Sequence, residues 1–207
     1  MIHGWGLHSG VWDEFAPLLE ASFRVTRVDL PGHGRSDWRG ETSLDAWVAA
    51  VQDAVPGSAA WLGWSLGGLL AMRAAVIAPG SVTALLTIAS TPCFVRKPGW
   101  QSAMLPQLLV SFADELQRDY RRTLQRFLSL QVRGSEQAAR VLKVLRARLL
   151  AQGEPDAAGL SAGLEILRTA DLREDLGKIA CRALLLMGER DTLVPLSAGL
   201  ATAALLG

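Results

Sequence analysis

Apolar residues along the 207-residue chain fall into short clusters punctuated by Gly and Pro. From Phe23 to Leu30 (Phe23-Arg24-Val25-Thr26-Arg27-Val28-Asp29-Leu30) apolar and polar positions mix as in a short strand, which stops at the turn cluster Pro31-Gly32-His33-Gly34. Ser43 is placed to cap a helix reaching about Val55, because Leu44, Trp47, Val48 and Val51 share one helical face; Pro56-Gly57 breaks it. Ala59 to Trp64 predicts a second strand. Leu66 to about Ile77 is alanine-rich and apolar all round, so it predicts a helix deep in the core. Val82 to Ala89 predicts a third strand, followed by Ser90-Thr91-Pro92. Strand, helix and strand at these lengths form a parallel βαβ unit, apolar because helices cover both faces of the sheet.

Between about Pro98 and Thr169 the β-prone runs vanish and helix formers dominate. Asp114 to Leu130 and Ser135 to Leu150 both have a helical period. The sheet resumes at Ala183 to Gly188, which delivers Glu189-Arg190-Asp191, and a last helix is expected from about Pro195 to Leu206. The expected organisation is a core in two parts, residues 1–97 and 171–207, interrupted by a helical lid over residues 98–170.

Composition narrows the function. Half of the residues are hydrophobic, enough for a sizeable core, and the net charge of +1 gives no reason to expect a nucleic-acid partner. No apolar run is long enough to suggest a membrane span, and no secretory signal opens the chain. The two cysteines, Cys93 and Cys181, read as buried thiols in a reducing, cytoplasmic compartment. The three histidines (His3, His8 and His33) lie near the start, with no metal-type spacing.

The chemistry concentrates at Gly63-Trp64-Ser65-Leu66-Gly67. Five residues of this form occur by chance, but here a strand ends at Trp64 and an apolar helix begins at Leu66, the setting a nucleophile elbow requires. Ser65 then sits on a strained turn at the positive end of the helix dipole. Gly63 and Gly67 are required because a β-carbon at either position would strike the neighbouring strand or helix. A serine nucleophile needs two backbone N–H donors for the developing oxyanion. Leu66 supplies one, and Trp5 of His3-Gly4-Trp5-Gly6 is the expected second. His3 reads as a structural loop residue. Asp191 follows a late strand and precedes Val194-Pro195, so it is the candidate acid of a Ser-Asp-His triad. Asp171 is an alternative that reads as structural, and Asp29 reads as a loop brace. The fold class expected is α/β, of the α/β-hydrolase kind.

The order in that fold is Ser, Asp, His, yet no histidine follows Asp191. His8 and His33 are poor substitutes by position. The sequence therefore leads us to expect a chain cut at both ends, lacking a first core strand before His3 and a last strand with its histidine, and with little esterase activity of its own.

Taken together, His3-Gly4-Trp5-Gly6, Asp29-Leu30-Pro31-Gly32-His33-Gly34-Arg35-Ser36, Trp61 to Gly68 and Ala89-Ser90-Thr91-Pro92-Cys93-Phe94 resemble the esterases of biotin synthesis that demethylate pimeloyl-[acyl-carrier protein] methyl ester. The segments Arg122 to Gln131 and Gly163 to Arg173 resemble that family's lid. The resemblance implies an acyl pocket lined by Trp5, Leu66 and Phe127, Leu128, Ser129, Leu130 and Gln131. Trp64 and Phe94 are apolar enough to join them around the ester. It also implies an acidic acyl-carrier protein as partner, docked on Arg122, Arg126, Arg140 and Lys143, although Arg140 is one place off the family pattern. Arg118 shares a helical face with Arg122 and Arg126, Arg140, Lys143 and Arg146 form another stripe, and Arg121, Arg133 and Arg148 lie nearby. No metal or organic cofactor is called for, and a monomer acting also on small esters is expected. The alternatives are another α/β-hydrolase acting on small or aliphatic esters, or a catalytically incomplete fragment that only binds.

Overall fold

A computed structural model describes residues 1–55, 57–132, 137–149 and 153–206. Pro56, Arg133, Ser135 and Leu150, named above, fall outside them; the side chains of Gln131 and Arg148 are likewise not described. The elements in chain order are α1 (Ala16–Glu20), α2 (Leu44–Ala54), β1 (Ala59–Trp64), α3 (Leu66–Ile77), β2 (Val82–Ile88), α4 (Pro106–Arg118), α5 (Tyr120–Gln131), α6 (Ala138–Leu149), α7 (Ala157–Thr169), β3 (Arg182–Leu186) and α8 (Leu196–Leu206).

The three strands form a parallel sheet in the order β1-β2-β3, with Trp64 opposite Ile88 and Ile88 opposite Leu186. Their C-terminal ends therefore line one edge, where open α/β sheets place their ligands. Helix α3 packs on β1 and β2, and α2 on α3. Every residue from Leu66 to Met72 is buried, as its unbroken apolar composition predicts. Ser43 caps α2 by accepting the Ala46 N–H at 3.1 Å.

Two expectations need correction. The run from Phe23 to Leu30 is not a strand: only Val28 pairs, through a single parallel bridge to Ile2. Ile2 also bridges Gly63 and exchanges hydrogen bonds with Leu62 and Trp64, but the chain enters the glycine loop at once and offers Val28 no longer ladder. β-propensity without a partner strand does not make a strand. The single helix expected from Asp114 to Leu130 is two. Asp119, extended at φ −157°, interrupts it and accepts the Arg122 N–H at 3.0 Å as the N-cap of α5.

Between β2 and β3 the described residues carry helices α4 to α7, with α4 against α5 and α7. Among the described residues no helix is long and apolar enough to cross a membrane.

Candidate active site at the end of β1

Ser65 joins β1 to α3 with φ 53° and ψ −113°, a backbone conformation that L-residues rarely adopt and that costs on the order of 1–3 kcal/mol. Surrounding contacts hold it there. The Ser65 N–H donates to Ile88 O of β2 at 2.9 Å, and its carbonyl accepts from Gly68 and Leu69. The flanking glycines are there for space. A β-carbon on Gly63 would lie 2.2 Å from Gly67 O, and one on Gly67 would lie 2.5 Å from Ile2 O.

The Gly4 loop crosses directly over this turn, and a β-carbon on Gly4 would lie 3.5 Å from Ser65 Cβ. Among the described residues, the N–H groups of Trp5 and Leu66 have no hydrogen-bond acceptor, and neither does Ser65 Oγ. Two unsatisfied backbone donors beside an uncommitted hydroxyl are the ingredients of acyl transfer.

The three histidines are committed elsewhere. Leu30 N–H donates to His3 Nε2 at 2.9 Å, so the His3 proton sits on Nδ1, 2.8 Å from Gly4 O. Gly6 N–H donates to His33 Nε2 at 3.2 Å, and His33 Nδ1–H donates to Pro31 O at 2.9 Å. His8 accepts the Gly10 N–H at Nδ1. Burial, and then the neighbouring His33, lower the His3 pKa to about 3; burial lowers that of His33 to about 4. Both rings are neutral struts under the Gly4–Gly6 loop. Asp29 braces the same region, accepting from Ser9 N–H at 2.5 Å and Arg35 N–H at 3.1 Å.

Asp191 lies in the turn after β3, on the same sheet edge as Ser65. Its Oδ1 accepts the Leu193 and Val194 N–H groups at 2.8 and 2.9 Å, while Oδ2 has no partner among the described residues. Partial burial raises its pKa against the opposing effect of those two N–H groups. Asp171 is fully engaged instead. Arg173 grips both its oxygens at 2.8 Å, Lys97 lies 3.3 Å away, and these charges, Arg173 foremost, hold its pKa down to about 2.

Of the expected pocket residues, Trp5 and Phe127 meet edge to face at 4.9 Å between ring centroids, each also touching Phe112. Trp5, Phe94, Phe127 and Leu128 are buried, and Ser129 and Leu130 are partly exposed. Trp64 is not in this cluster: its ring contact is with Trp12, at 6.4 Å. Three further participants are not among the residues singled out from the sequence. Phe112 completes the aromatic cluster. Leu160 O accepts the Trp5 indole N–H at 2.8 Å, and Ser90 Oγ donates to Ser65 O at 2.7 Å. Ser90 had a usable signal, since it follows a strand adjacent to β1 and must emerge beside the elbow. Phe112 and Leu160 depend on how the insertion folds back and carry no local signature.

Arg122, Arg140 and Lys143 are exposed and have no ion pair among the described residues. Arg126 pairs with Glu115 and sits 5.0 Å above the Phe112 ring.

Comparison with known proteins follows the same lines. The family model for the alpha/beta hydrolase fold matches residues 1–206. The pimeloyl-[acyl-carrier protein] methyl ester esterase of Nitrosomonas europaea is 47% identical over 198 residues, covering 96% of this chain and 79% of that protein. The protein of the same name from Methylococcus capsulatus is 45% identical over 205 residues, covering 99% and 80%. Among solved structures, the esterase EaEST from Exiguobacterium antarcticum superposes with a TM-score of 0.87 at 20% identity, covering 100% of this chain and 79% of that one.

Proposed function

Because the chain belongs to the α/β-hydrolase fold family, and within it to the pimeloyl-[acyl-carrier protein] methyl ester esterases, we propose that it is a serine carboxylesterase whose nucleophile is Ser65 and whose substrate is the methyl ester of a pimeloyl chain on acyl-carrier protein. The observation that carries this reading is Ser65 on its strained elbow, facing the unsatisfied N–H groups of Trp5 and Leu66.

In this mechanism Ser65 Oγ adds to the ester carbonyl carbon and its proton passes to a general base. The carbonyl oxygen, now anionic, accepts from the Trp5 and Leu66 N–H groups. Collapse breaks the bond to the methoxy oxygen, and methanol leaves with the proton from the base. Water then hydrolyses the acyl-Ser65 ester through the same oxyanion contacts. Asp191 offers Oδ2 to orient a protonated base. It follows β3, the second strand over from β1, on the sheet edge that carries Ser65, so an imidazole reaching both would sit between the ends of those strands. His3 and His33 are not that imidazole, because both ring nitrogens of each are engaged in the loops, and His8 has its Nδ1 taken by the Gly10 N–H.

Helices α4 to α7 act as the lid. Trp5, Leu66, Phe94, Phe127, Leu128, Ser129 and Leu130 line the acyl site, and Trp64 flanks the ester. Arg122, Arg140 and Lys143 are the docking charges for an acidic carrier protein, with Arg126 beside them partly neutralised by Glu115.

The test pairs a carrier-linked methyl ester with a small p-nitrophenyl ester. With none of the three histidines serving as base, turnover of both is slow, and Ser65→Ala should abolish it. Arg122→Glu combined with Lys143→Glu should lower kcat/KM on the carrier-linked ester about tenfold or more and leave the small ester unchanged. Arg126 is left in place because its guanidinium packs on Phe112. Equal losses on both substrates would remove the docking role. Activity that survives Ser65→Ala would remove the esterase mechanism.

A further inference from the structure

An oxyanion hole works only if its donors are aimed before the charge forms. The Trp5 N–H belongs to the same peptide unit as the Gly4 carbonyl, and the Leu66 N–H to the same unit as the Ser65 carbonyl. A trans peptide is planar, with its C=O and N–H pointing in opposite directions. Whatever holds the carbonyl therefore aims the N–H. In both units a buried side chain shares this role with backbone donors: His3 Nδ1–H donates to Gly4 O at 2.8 Å beside the Leu7 N–H at 3.3 Å, and Ser90 Oγ–H donates to Ser65 O at 2.7 Å beside the Gly68 and Leu69 N–H groups of the first turn of α3. His3 is fully buried and Ser90 is 1% exposed, so water cannot take over either bond.

We propose that His3 and Ser90 are positioning residues of the oxyanion hole, each fixing the carbonyl of a peptide whose N–H receives the substrate oxyanion. The inference rests on the reading of Ser65 as nucleophile and of Trp5 and Leu66 as donors. The supports are themselves fixed. Leu30 N–H donates to His3 Nε2, which prevents the ring from turning, and His33 pins the other end of the loop through the Gly6 N–H. On the second side Ile88 O receives the Ser65 N–H, so the end of β2 and Ser90 just after it hold the N–H and the carbonyl of Ser65. Donation to a carbonyl also polarises its peptide and strengthens the N–H at the other end. Neutral His3, with one donor and one acceptor nitrogen, matches its two partners; a protonated ring would repel the Leu30 N–H.

The probe is an alkyl boronic acid, whose boron accepts Ser65 Oγ, releases the hydroxyl proton to solvent and becomes a tetrahedral anion resembling the transition state. The isosteric primary alcohol enters the same slot without an oxyanion. Dissociation constants for both are measured on the full chain. Ser90→Ala and His3→Gln (which keeps an acceptor for Leu30 N–H and loses the donor to Gly4 O) should each weaken the boronate about tenfold and leave the alcohol unchanged. His3→Asn, whose amide N–H overlays Nδ1, should stay within about threefold of the unsubstituted chain. Boronate binding unchanged in Ser90→Ala and His3→Gln, or boronate and alcohol weakened alike, overturns the proposal; so does His3→Asn behaving as His3→Gln. Should the His3 variants fail to fold, Ser90→Ala, which removes a single oxygen, decides the matter by the same two dissociation constants. An unsubstituted chain that forms no adduct, or Ser65→Ala that still does, instead brings down the reading of Ser65.

Discussion

Replacing Gly63 by alanine puts one methyl group where the strand and helix of the elbow come closest. The added β-carbon would lie 2.2 Å from Gly67 O, 2.3 Å from Gly67 C and 2.5 Å from Gly68 N, all backbone atoms of the first turn of α3. Ordinary carbon contacts begin near 3.5 Å, so α3 must retreat from β1 by about 1 Å. No side chain can rotate away to absorb it. Overpacking of this kind costs about 1–3 kcal/mol, and the rigidity of this contact puts the substitution near 3. For a chain of this size that lowers Tm by roughly 6–12 °C. The retreat also carries Leu66 N–H away from the site, and a displacement of about 1 Å costs up to a hundredfold in rate. Thermal unfolding followed by circular dichroism measures the first effect. The rate at which a fluorophosphonate labels Ser65, normalised to folded protein, measures the second. Gly80→Ala is the control, because a β-carbon there meets nothing within 4 Å. A Gly63→Ala variant that melts within about 1–2 °C of the unsubstituted chain, or that labels at an undiminished rate, would refute the idea that strand–helix spacing sets the elbow.

Two other properties can be checked on the purified chain. His3 and His33 have folded pKa values lowered to about 3 and about 4, below the ordinary 6.5, so the unfolded chain binds two more protons between those limits. Stability should therefore be full above pH 6.5 and fall as the solution is acidified, by up to about 2.7 kcal/mol per pH unit from this pair. Urea titrations at pH 7, 6 and 5 should show the slope, and a flat profile would mean that the rings are charged in the fold. Thr87 is fully buried and its Oγ1 has no partner among the described residues. Thr87→Val should thus stabilise the chain by about 1 kcal/mol, a Tm gain of roughly 2–4 °C. A loss of the same size would reveal a partner for that hydroxyl.

The elbow is legible in the sequence because every constraint on it is local: a strand, a tight turn and an apolar helix within 20 residues, with glycine where a side chain cannot fit. The parallel sheet follows from the same βαβ logic. What is not legible depends on distant partners. Phe23 to Leu30 has strand-like composition, but only Val28 finds a neighbour, and nothing in the segment records how long Ile2 will run beside it. Asp119 is one acidic residue in a helical run until its side chain takes the Arg122 N–H, so the break between α4 and α5 reads as continuous period. The residues proposed to support the oxyanion donors divide the same way. His3 is visible as part of a loop motif, whereas the role of Ser90 exists only once β2 lies beside β1.

Helix α7 meets the core through contacts with almost no slack. The Gly159 and Gly32 backbones touch, with a β-carbon on either placed 2.9 Å from the other's Cα, and a β-carbon on Gly163 would come within 2.8 Å of the Trp5 indole. Asp156 N–H reaches Gly32 O at 2.8 Å, and Leu160 O holds the indole N–H. In evolutionary terms the helical insertion is two inheritances. Helix α7 can change only in concert with Gly32 and Trp5, because a shift there moves the Gly4–Gly6 loop that carries the proposed oxyanion donor. The outward faces of α5 and α6 are under no such bond. A lineage can rewrite them to suit a different partner while the hydrolytic apparatus beneath stays as it is.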